Sequence, residues 1–207
     1  MATGKIFGIG WHKTATTSLQ EALDILGFPG RHYPHEMYPE ICAGQKNFKA
    51  ADHYKSLTDF PVPLIFERLD QGYPGSKFIL TVRDTEGWLK SVRKHFEIMS
   101  SPQKKFGGLS EHEFFNRKGV PNHQIHIYAY GQWAFDEDVF VKAYEAHNQK
   151  VRDYFKGRPD DLLVMDMEEG AGWEALCEFL DAPVPDQPYP EKFKTEQRLE
   201  TFEGKAS

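Results

Sequence analysis

The chain has 207 residues, a formal net charge of −6, 40% hydrophobic residues and 14% aromatic residues. This length suits a single domain with enough apolar side chains for a core. The acidic balance argues against nucleic acid or an anionic membrane surface as the main partner, since both require a basic surface. Two distant cysteines, Cys42 and Cys177, predict free thiols in a reducing compartment. No run approaches about eighteen apolar residues and no leader-like segment opens the chain, so we expect a soluble, cytoplasmic protein.

The first informative stretch predicts a strand, a tight loop and a helix. A short apolar run ends at Ile9, and from Leu19 to Leu26 apolar residues recur at the spacing of one helix face, with Gly27 as a stop signal. Backbone N–H groups and the positive end of a helix dipole make such a loop an anion site, and lysine and hydroxyl groups suit phosphate or sulfate oxygens. The loop carries one lysine and four hydroxyl side chains: Lys13, Thr14, Thr16, Thr17 and Ser18.

The loop differs from the standard nucleotide-triphosphate loop. The Walker pattern requires two glycines before the Lys-Ser/Thr pair, and Phe7 and His12 occupy those positions. The stretch Lys13-Thr14-Ala15-Thr16-Thr17 instead resembles the 5′-phosphosulfate loop of the sulfotransferases that use 3′-phosphoadenosine 5′-phosphosulfate (PAPS), whose core is Lys-Ser/Thr-Gly-Thr-Thr. The one departure is Ala15, where the family usually has glycine. The resemblance implies that the loop binds the 5′ end of PAPS through these residues together with His12 and Ser18.

A second stretch places an arginine at the end of a buried strand. Phe78 to Val82 is a continuous apolar run, and Arg83 follows at the carboxyl end, where open α/β sheets bind ligands. Arg83 and Ser91, eight residues apart, resemble the 3′-phosphate site of the same sulfotransferases. The resemblance implies that Arg83 grips the 3′-phosphate and that Ser91 donates its hydroxyl. By itself, an arginine in this position more often forms a structural ion pair.

The fold class follows from the order of these elements. A further apolar run, Leu162 to Met165, predicts a strand that ends at Asp166, and a final helix follows. The resemblance implies an α/β fold, a three-layer sandwich with a central parallel sheet of the P-loop NTPase-like sulfotransferase type. We expect one domain over residues 1–207, with a core of about 4–182 and a proline-rich, polar tail at 183–207.

The general base should lie between the two motifs, on or after the second strand, because the family places a histidine or a carboxylate there. Asp59 is placed best, at a predicted strand-to-helix junction, although a helix cap is the alternative interpretation. His53 is the second candidate, since an unperturbed imidazole titrates near neutral pH. Asp52 and Glu67 share the interval. Lys13 is the candidate for stabilising charge on the leaving phosphate.

Other features carry weaker interpretations. Residues 28–55 read as loop with short helical pieces, and their His32 and His35 lack a cysteine or carboxylate that would complete a metal site, so we interpret them as surface or packing histidines and expect no metal. Residues 100–132 are irregular and predict a lid. Their tripeptide Arg117-Lys118-Gly119 matches a 3′-phosphate contact that lies near the chain end in some sulfotransferases. Its mid-chain position indicates coincidence, and closure over the cofactor is the alternative interpretation.

The sequence therefore predicts a sulfotransferase that transfers a sulfuryl group from PAPS to a hydroxyl or amine of a small-molecule or sugar acceptor, without a metal. Two alternatives stay open. One is an ATP- and Mg²⁺-dependent small-molecule kinase with a degenerate phosphate loop. The other is a catalytically silent domain that binds a nucleotide or a partner protein. Neither the acceptor nor the oligomeric state can be inferred from the sequence.

Overall fold

The computed structural model describes residues 4–100, 122–166, 169–170 and 172–191, without the side chains of 98–100, 122 and 123. The strands of this part are β1 (Ile6–Gly8), β2 (Gly30–His32), β3 (Ser56–Thr58), β4 (Lys77–Val82) and β5 (Leu162–Asp166). The α-helices are α1 (Thr16–Ile25), α2 (Tyr38–Cys42), α3 (Lys49–His53), α4 (Phe66–Gly72), α5 (Thr85–Ser100), α6 (Asn122–Tyr130), α7 (Glu137–Phe155) and α8 (Trp173–Leu180).

The strands form one parallel sheet in the order β2-β3-β1-β4-β5. β1 therefore lies between β3 and β4. The strands that follow β1 in sequence, β2 and β3, lie on one side of it, and the later strands β4 and β5 lie on the other side. Such a reversal opens a crevice at the carboxyl ends of the central strands. The loops that follow β1, β3 and β4 all border this crevice.

Side chains alternate between two helix-covered faces of the sheet. Phe7 and Phe78 pack with Phe155 of α7 on one face. On the other face, Ile6 and Ile79 belong to an apolar cluster built with α1 and α8. The predicted α/β sandwich with a central parallel sheet is confirmed.

The helix α1 is fixed at both of its ends. Gly27, at φ 82°, follows the helix, and the N–H of Phe28 donates to the carbonyl of Leu23 at 2.9 Å, so the predicted glycine stop is confirmed. Towards the sheet, Gln20 donates to Ser56 Oγ at 2.8 Å and accepts from Thr58 Oγ1 at 3.0 Å. This buried network holds the start of α1 against β3.

Several segments differ from the prediction or extend it. Residues 28–55 contain the predicted short helices, but also β2, an edge strand that the sequence did not indicate. Residues 122–130 of the predicted lid form α6, whereas residues 101–121, with the Arg117-Lys118-Gly119 tripeptide, lie outside the described residues. The described part of the tail packs back on α8, because the indole of Trp173 donates to the carbonyl of Gln187 at 2.7 Å.

Candidate active site

The loop between β1 and α1 lies directly on β4. A Cβ on Gly10 would come within 2.0 Å of Thr81 Oγ1, so only glycine allows this approach. Thr14 completes the contact, because its hydroxyl lies 2.7 Å from Thr81 Oγ1 and donates to the carbonyl of Trp11 at 2.6 Å. The Thr14 side chain therefore stabilises the loop internally instead of facing a ligand.

The backbone of this loop is strained where an anion would bind. Lys13 has φ 68° and Ala15 has φ 63°, both in the left-handed region that L residues with a Cβ avoid. Backbone that enters and leaves this region turns successive N–H groups to one side, which is the geometry of an anion-binding nest. Tyr33 and Asp59, just beyond β2 and β3, also have positive φ values. Strain of this kind clusters at functional sites.

Three elements converge at the two loop threonines. The hydroxyls of Thr16 and Thr17 each lie 3.2 Å from Nε2 of His32, which comes from the end of β2. The same Nε2 lies 3.0 Å from Oδ2 of Asp59, the first residue beyond β3. The structure therefore joins the predicted anion loop to the predicted base through a histidine that was interpreted from sequence as a packing residue.

The charge of Asp59 and the position of the hydrogen on His32 follow from their surroundings. Burial alone would raise the pKa of Asp59, but His32 and the backbone N–H of Phe60 lower it, and the net pKa is held well below its ordinary value. An ionised Asp59 requires a hydrogen on Nε2 of His32. Since Nε2–H cannot accept a hydrogen bond, the hydroxyl hydrogens of Thr16 and Thr17 are directed away from it. Both hydroxyls can therefore donate to an anion.

His12 forms the wall of the site beside Lys13. Its ring is buried against Phe60, with centroids 5.0 Å apart, and its Nε2 shares a hydrogen bond with the hydroxyl of Tyr130 on α6. Burial, followed by the nearby His126 and His95, holds the pKa of His12 well below 6.5. His12 is therefore neutral at pH 7 and shapes the loop, without adding a positive charge to it.

The second motif lies across the crevice. Arg83 follows the last residue of β4, and its guanidinium lies over Gly87 of α5, where a Cβ would be 3.0 Å from Nε and 3.1 Å from Nη2. Ser91 is four residues after Gly87 and therefore lies on the same helix face. Asp84 caps α5 by accepting from the N–H of Gly87 at 2.6 Å. Arg83 and Ser91 thus face one side of α5.

The remaining candidate bases lie elsewhere. His53 ends α3, before β3 begins, so it is exposed at the amino-terminal edge of the sheet, opposite the crevice. Asp52 accepts from the hydroxyl of Tyr73, and Glu67 pairs with Lys150 at 2.7 Å. The structure does not bring these three to the site. Ser18 is buried within α1.

The described residues contain no group of three or more ligating side chains that could hold a metal ion. His35 contacts the carbonyl of Tyr33 through Nδ1 at 3.3 Å. His32 is committed to Asp59 and the two threonines. The two histidines therefore contact different groups.

Comparison with known proteins identifies the class. The sequence pattern of the sulfotransferase domain matches residues 5–198, so the chain belongs to the sulfotransferase domain family, as predicted. The match includes the proline-rich segment that was expected to lie outside the core. Within the described residues, no helix combines the length and apolar character needed to cross a membrane.

Two individual proteins resemble this chain. Ava biosynthesis cluster protein M of Aspergillus versicolor is 28% identical over 212 residues, covering 90% of this chain and 79% of its own length. The crystal structure of a sulfotransferase from Alicyclobacillus acidocaldarius matches with a TM-score of 0.50 and 16% identity, covering 100% of this chain and 92% of that protein. The second likeness supports the fold.

Proposed function

We propose that this protein is a PAPS-dependent sulfotransferase that acts on a hydroxyl or amine of a small-molecule or sugar acceptor. The observation that carries the proposal is the chain of contacts that runs from Asp59 through Nε2 of His32 to the hydroxyls of Thr16 and Thr17. It supports a role for Asp59 and His32 as an acid–base pair, one hydrogen bond from a loop that would bind the anionic donor. Group transfer from an anionic donor to an acceptor that must lose a proton requires this combination.

The residues present fit PAPS at both of its ends. The phosphosulfate at the 5′ end would bind Lys13, the hydroxyls of Thr16 and Thr17 and the backbone of the loop. At the 3′ end, Arg83 and Ser91 supply a guanidinium fork and a hydroxyl for the 3′-phosphate. PAPS supplies the sulfuryl group, whose bond to the bridging oxygen of the 5′-phosphate breaks as the acceptor oxygen or nitrogen bonds to sulfur. Lys13 stabilises the charge left on the phosphate.

Asp59 takes the acceptor's proton in this proposal, and His32 controls when it can do so. The contact with His32 holds the pKa of Asp59 low, and a carboxylate of low pKa is a weak base. A sulfuryl or phosphate oxygen close to Thr16 and Thr17 would compete with Asp59 for Nε2–H of His32. Loss of that hydrogen bond, together with the new negative charge, raises the pKa of Asp59 and makes it a better base once the donor is bound.

The test is calorimetric titration with 3′-phosphoadenosine 5′-phosphate, run beside ADP and beside ATP with Mg²⁺. We expect micromolar or tighter binding of the 3′-phosphorylated nucleotide without metal, and a loss of turnover in Lys13→Ala equivalent to about 2 to 4 kcal/mol of transition-state stabilisation. Lys49→Ala is the control, because Lys49 is exposed on α3, a helix that ends at the other edge of the sheet. Binding of ATP with Mg²⁺ alone would replace the proposal with a kinase, and binding of none of these nucleotides would leave a silent domain.

A further inference from the structure

The main chain at Arg83 is fixed by a side chain from another element. Its N–H donates to the hydroxyl of Tyr144 on α7 at 3.0 Å, and the same hydroxyl donates to the carbonyl of Arg83 at 2.8 Å. Arg83 lies one residue beyond Val82, the last residue of β4 paired in the sheet. Tyr144 therefore extends the hydrogen bonding of the strand by one residue, at the point where the arginine must be aimed.

The ring of Tyr144 connects this residue to the loop on the other side of the crevice. It stacks on Trp88 of α5, with centroids 4.2 Å apart and planes inclined by 8°. The indole N–H of Trp88 donates to the carbonyl of His12 at 3.0 Å. Both rings are buried. One stacked pair thus holds the main chain on either side of the crevice, next to Lys13 and at Arg83.

We infer that the Trp88–Tyr144 pair is a positioning element that sets the distance between the 5′ and 3′ halves of the nucleotide site. The inference rests on the proposed function and assigns roles to two residues that the sequence motifs do not include. The guanidinium of Arg83 is several bonds from its main chain, so a small rotation at the backbone displaces it substantially. Geometry errors of about 1 Å in a positioned group are enough to weaken binding or catalysis greatly.

The decisive variant is Tyr144→Phe, which keeps the stacked ring and removes the hydroxyl that holds Arg83. Tyr154→Phe is the matched control, because Tyr154 lies on the same helix as Tyr144, ten residues later. Its hydroxyl donates to Asp70 and does not contact Arg83. The ligands are 3′-phosphoadenosine 5′-phosphate and AMP, which lacks the 3′-phosphate. We expect Tyr144→Phe to weaken the first by about tenfold or more and AMP by less than about twofold, with Tyr154→Phe unchanged.

Equal losses for both nucleotides, or no loss, would overturn the role of Tyr144, since a merely structural hydroxyl does not distinguish them. A wild-type protein without preference for the 3′-phosphorylated nucleotide would overturn the proposed function, and this inference with it. If Tyr144→Phe does not fold, Trp88→Phe carries the test: it removes the bond to the His12 carbonyl and should weaken both nucleotides, which share the 5′-phosphate, while adenosine 3′-phosphate, which lacks it, keeps its affinity. A matching loss for adenosine 3′-phosphate would indicate a merely structural role and overturn the inference. Unchanged affinity for both in Trp88→Phe would overturn the inference.

Discussion

Asp59 and His32 act as one unit, because the 3.0 Å contact between them sets the charge of the carboxylate and the position of the imidazole hydrogen. Asp59 is 9% exposed, so its charge is stabilised by neighbouring groups more than by water. Its left-handed backbone, at φ 67°, directs the residue straight from the end of β3 into the crevice. Aspartate tolerates this conformation better than most residues.

Asp59→Asn should therefore separate catalysis from binding. Asparagine keeps the shape of the side chain but cannot take a proton, so we expect turnover to fall by about 100-fold or more. The affinity for 3′-phosphoadenosine 5′-phosphate should be kept or increased, because the loop and Arg83 are intact and Asp59 no longer competes for Nε2–H of His32. Steady-state kinetics and calorimetry measure the two quantities.

Asp52→Asn is the control for this prediction. Asp52 is an exposed carboxylate on α3 and lies in the same interval of sequence, but it is not at the crevice. Near-normal turnover in Asp59→Asn, with the fold verified by its thermal transition, would remove Asp59 from the role of base.

Ala15 carries a conformational cost that a glycine at the same position would avoid. At φ 63° and ψ 29°, its Cβ approaches the following carbonyl, which costs roughly 1 to 2 kcal/mol. Glycine would relieve this strain, but it makes the unfolded chain more flexible, which lowers the stability of the fold by about 0.5 to 1 kcal/mol. Ala15→Gly should therefore raise the free energy of unfolding by roughly 0.5 to 1 kcal/mol in urea titrations.

An alanine-to-glycine substitution at an ordinary backbone position should lower the free energy of unfolding instead. Ala43 is exposed after α2 at φ −74°, so Ala43→Gly gains nothing from relief of strain and should destabilise the protein. If Ala15→Gly were as destabilising as Ala43→Gly, the left-handed conformation of Ala15 would not be the source of the cost.

At the scale of elements, the parts that could be predicted are those whose signals are local in sequence. The loop and α1 were predicted because Lys13 to Thr17 form one motif, and apolar periodicity with a glycine stop defines the helix that follows. β4 was predicted because its apolar run is long enough to be buried on both faces. Arg83 was then located by counting from the end of that strand.

The edge strand β2 could not be predicted in this way. Only three residues long, it contains an exposed arginine and no apolar pattern. Its pairing with β3 depends on the main chain and on Gly30, where a Cβ would lie 2.0 Å from Ser56 Oγ. Because β2 was missed, His32 was not placed at the carboxyl edge of the sheet, and its contact with Asp59 was missed as well.

His53 shows the converse error. It is only six residues before Asp59 in sequence, and its titration range made it a plausible base. A strand of three residues separates them, however, and carries the chain from the amino-terminal edge of the sheet to the carboxyl edge. Position along the chain could not show on which edge each residue lies, and that edge decides which of them reaches the ligand.

At the scale of the whole molecule, the region around the site is held by buried aromatic and histidine rings. Trp11 is central to it, with the ring of Tyr130 from α6 at 4.9 Å and the ring of His147 from α7 at 5.4 Å. His147 donates from Nε2 to the carbonyl of Ile9 at 2.8 Å, which ties α7 to the end of β1.

This arrangement should make the fold sensitive to acid. Burial is the main cause that lowers the pKa of His147 from 6.5 to about 4; Lys150 acts in the same direction, and the bond to Ile9 opposes it. Below pH 6.5 the unfolded chain binds a proton that the folded chain does not, so stability is fully present above this value and is lost as the pH falls towards 4. Between pH 7.5 and pH 5 this one group should lower the free energy of unfolding by roughly 2 kcal/mol.

Burial also lowers the pKa of His12, so His12 adds to the loss of stability in acid. Urea titrations at pH 7.5, 6 and 5 measure the free energy of unfolding. The variant is His147→Gln, because glutamine can still donate to the carbonyl of Ile9 and does not titrate. We expect His147→Gln to be less stable than the wild type at pH 7.5 but to lose about 2 kcal/mol less on going to pH 5. His53→Gln, at an exposed position, is the control and should keep the wild-type slope. Parallel slopes in the wild type and His147→Gln would contradict the prediction and show that the acid sensitivity comes from other groups.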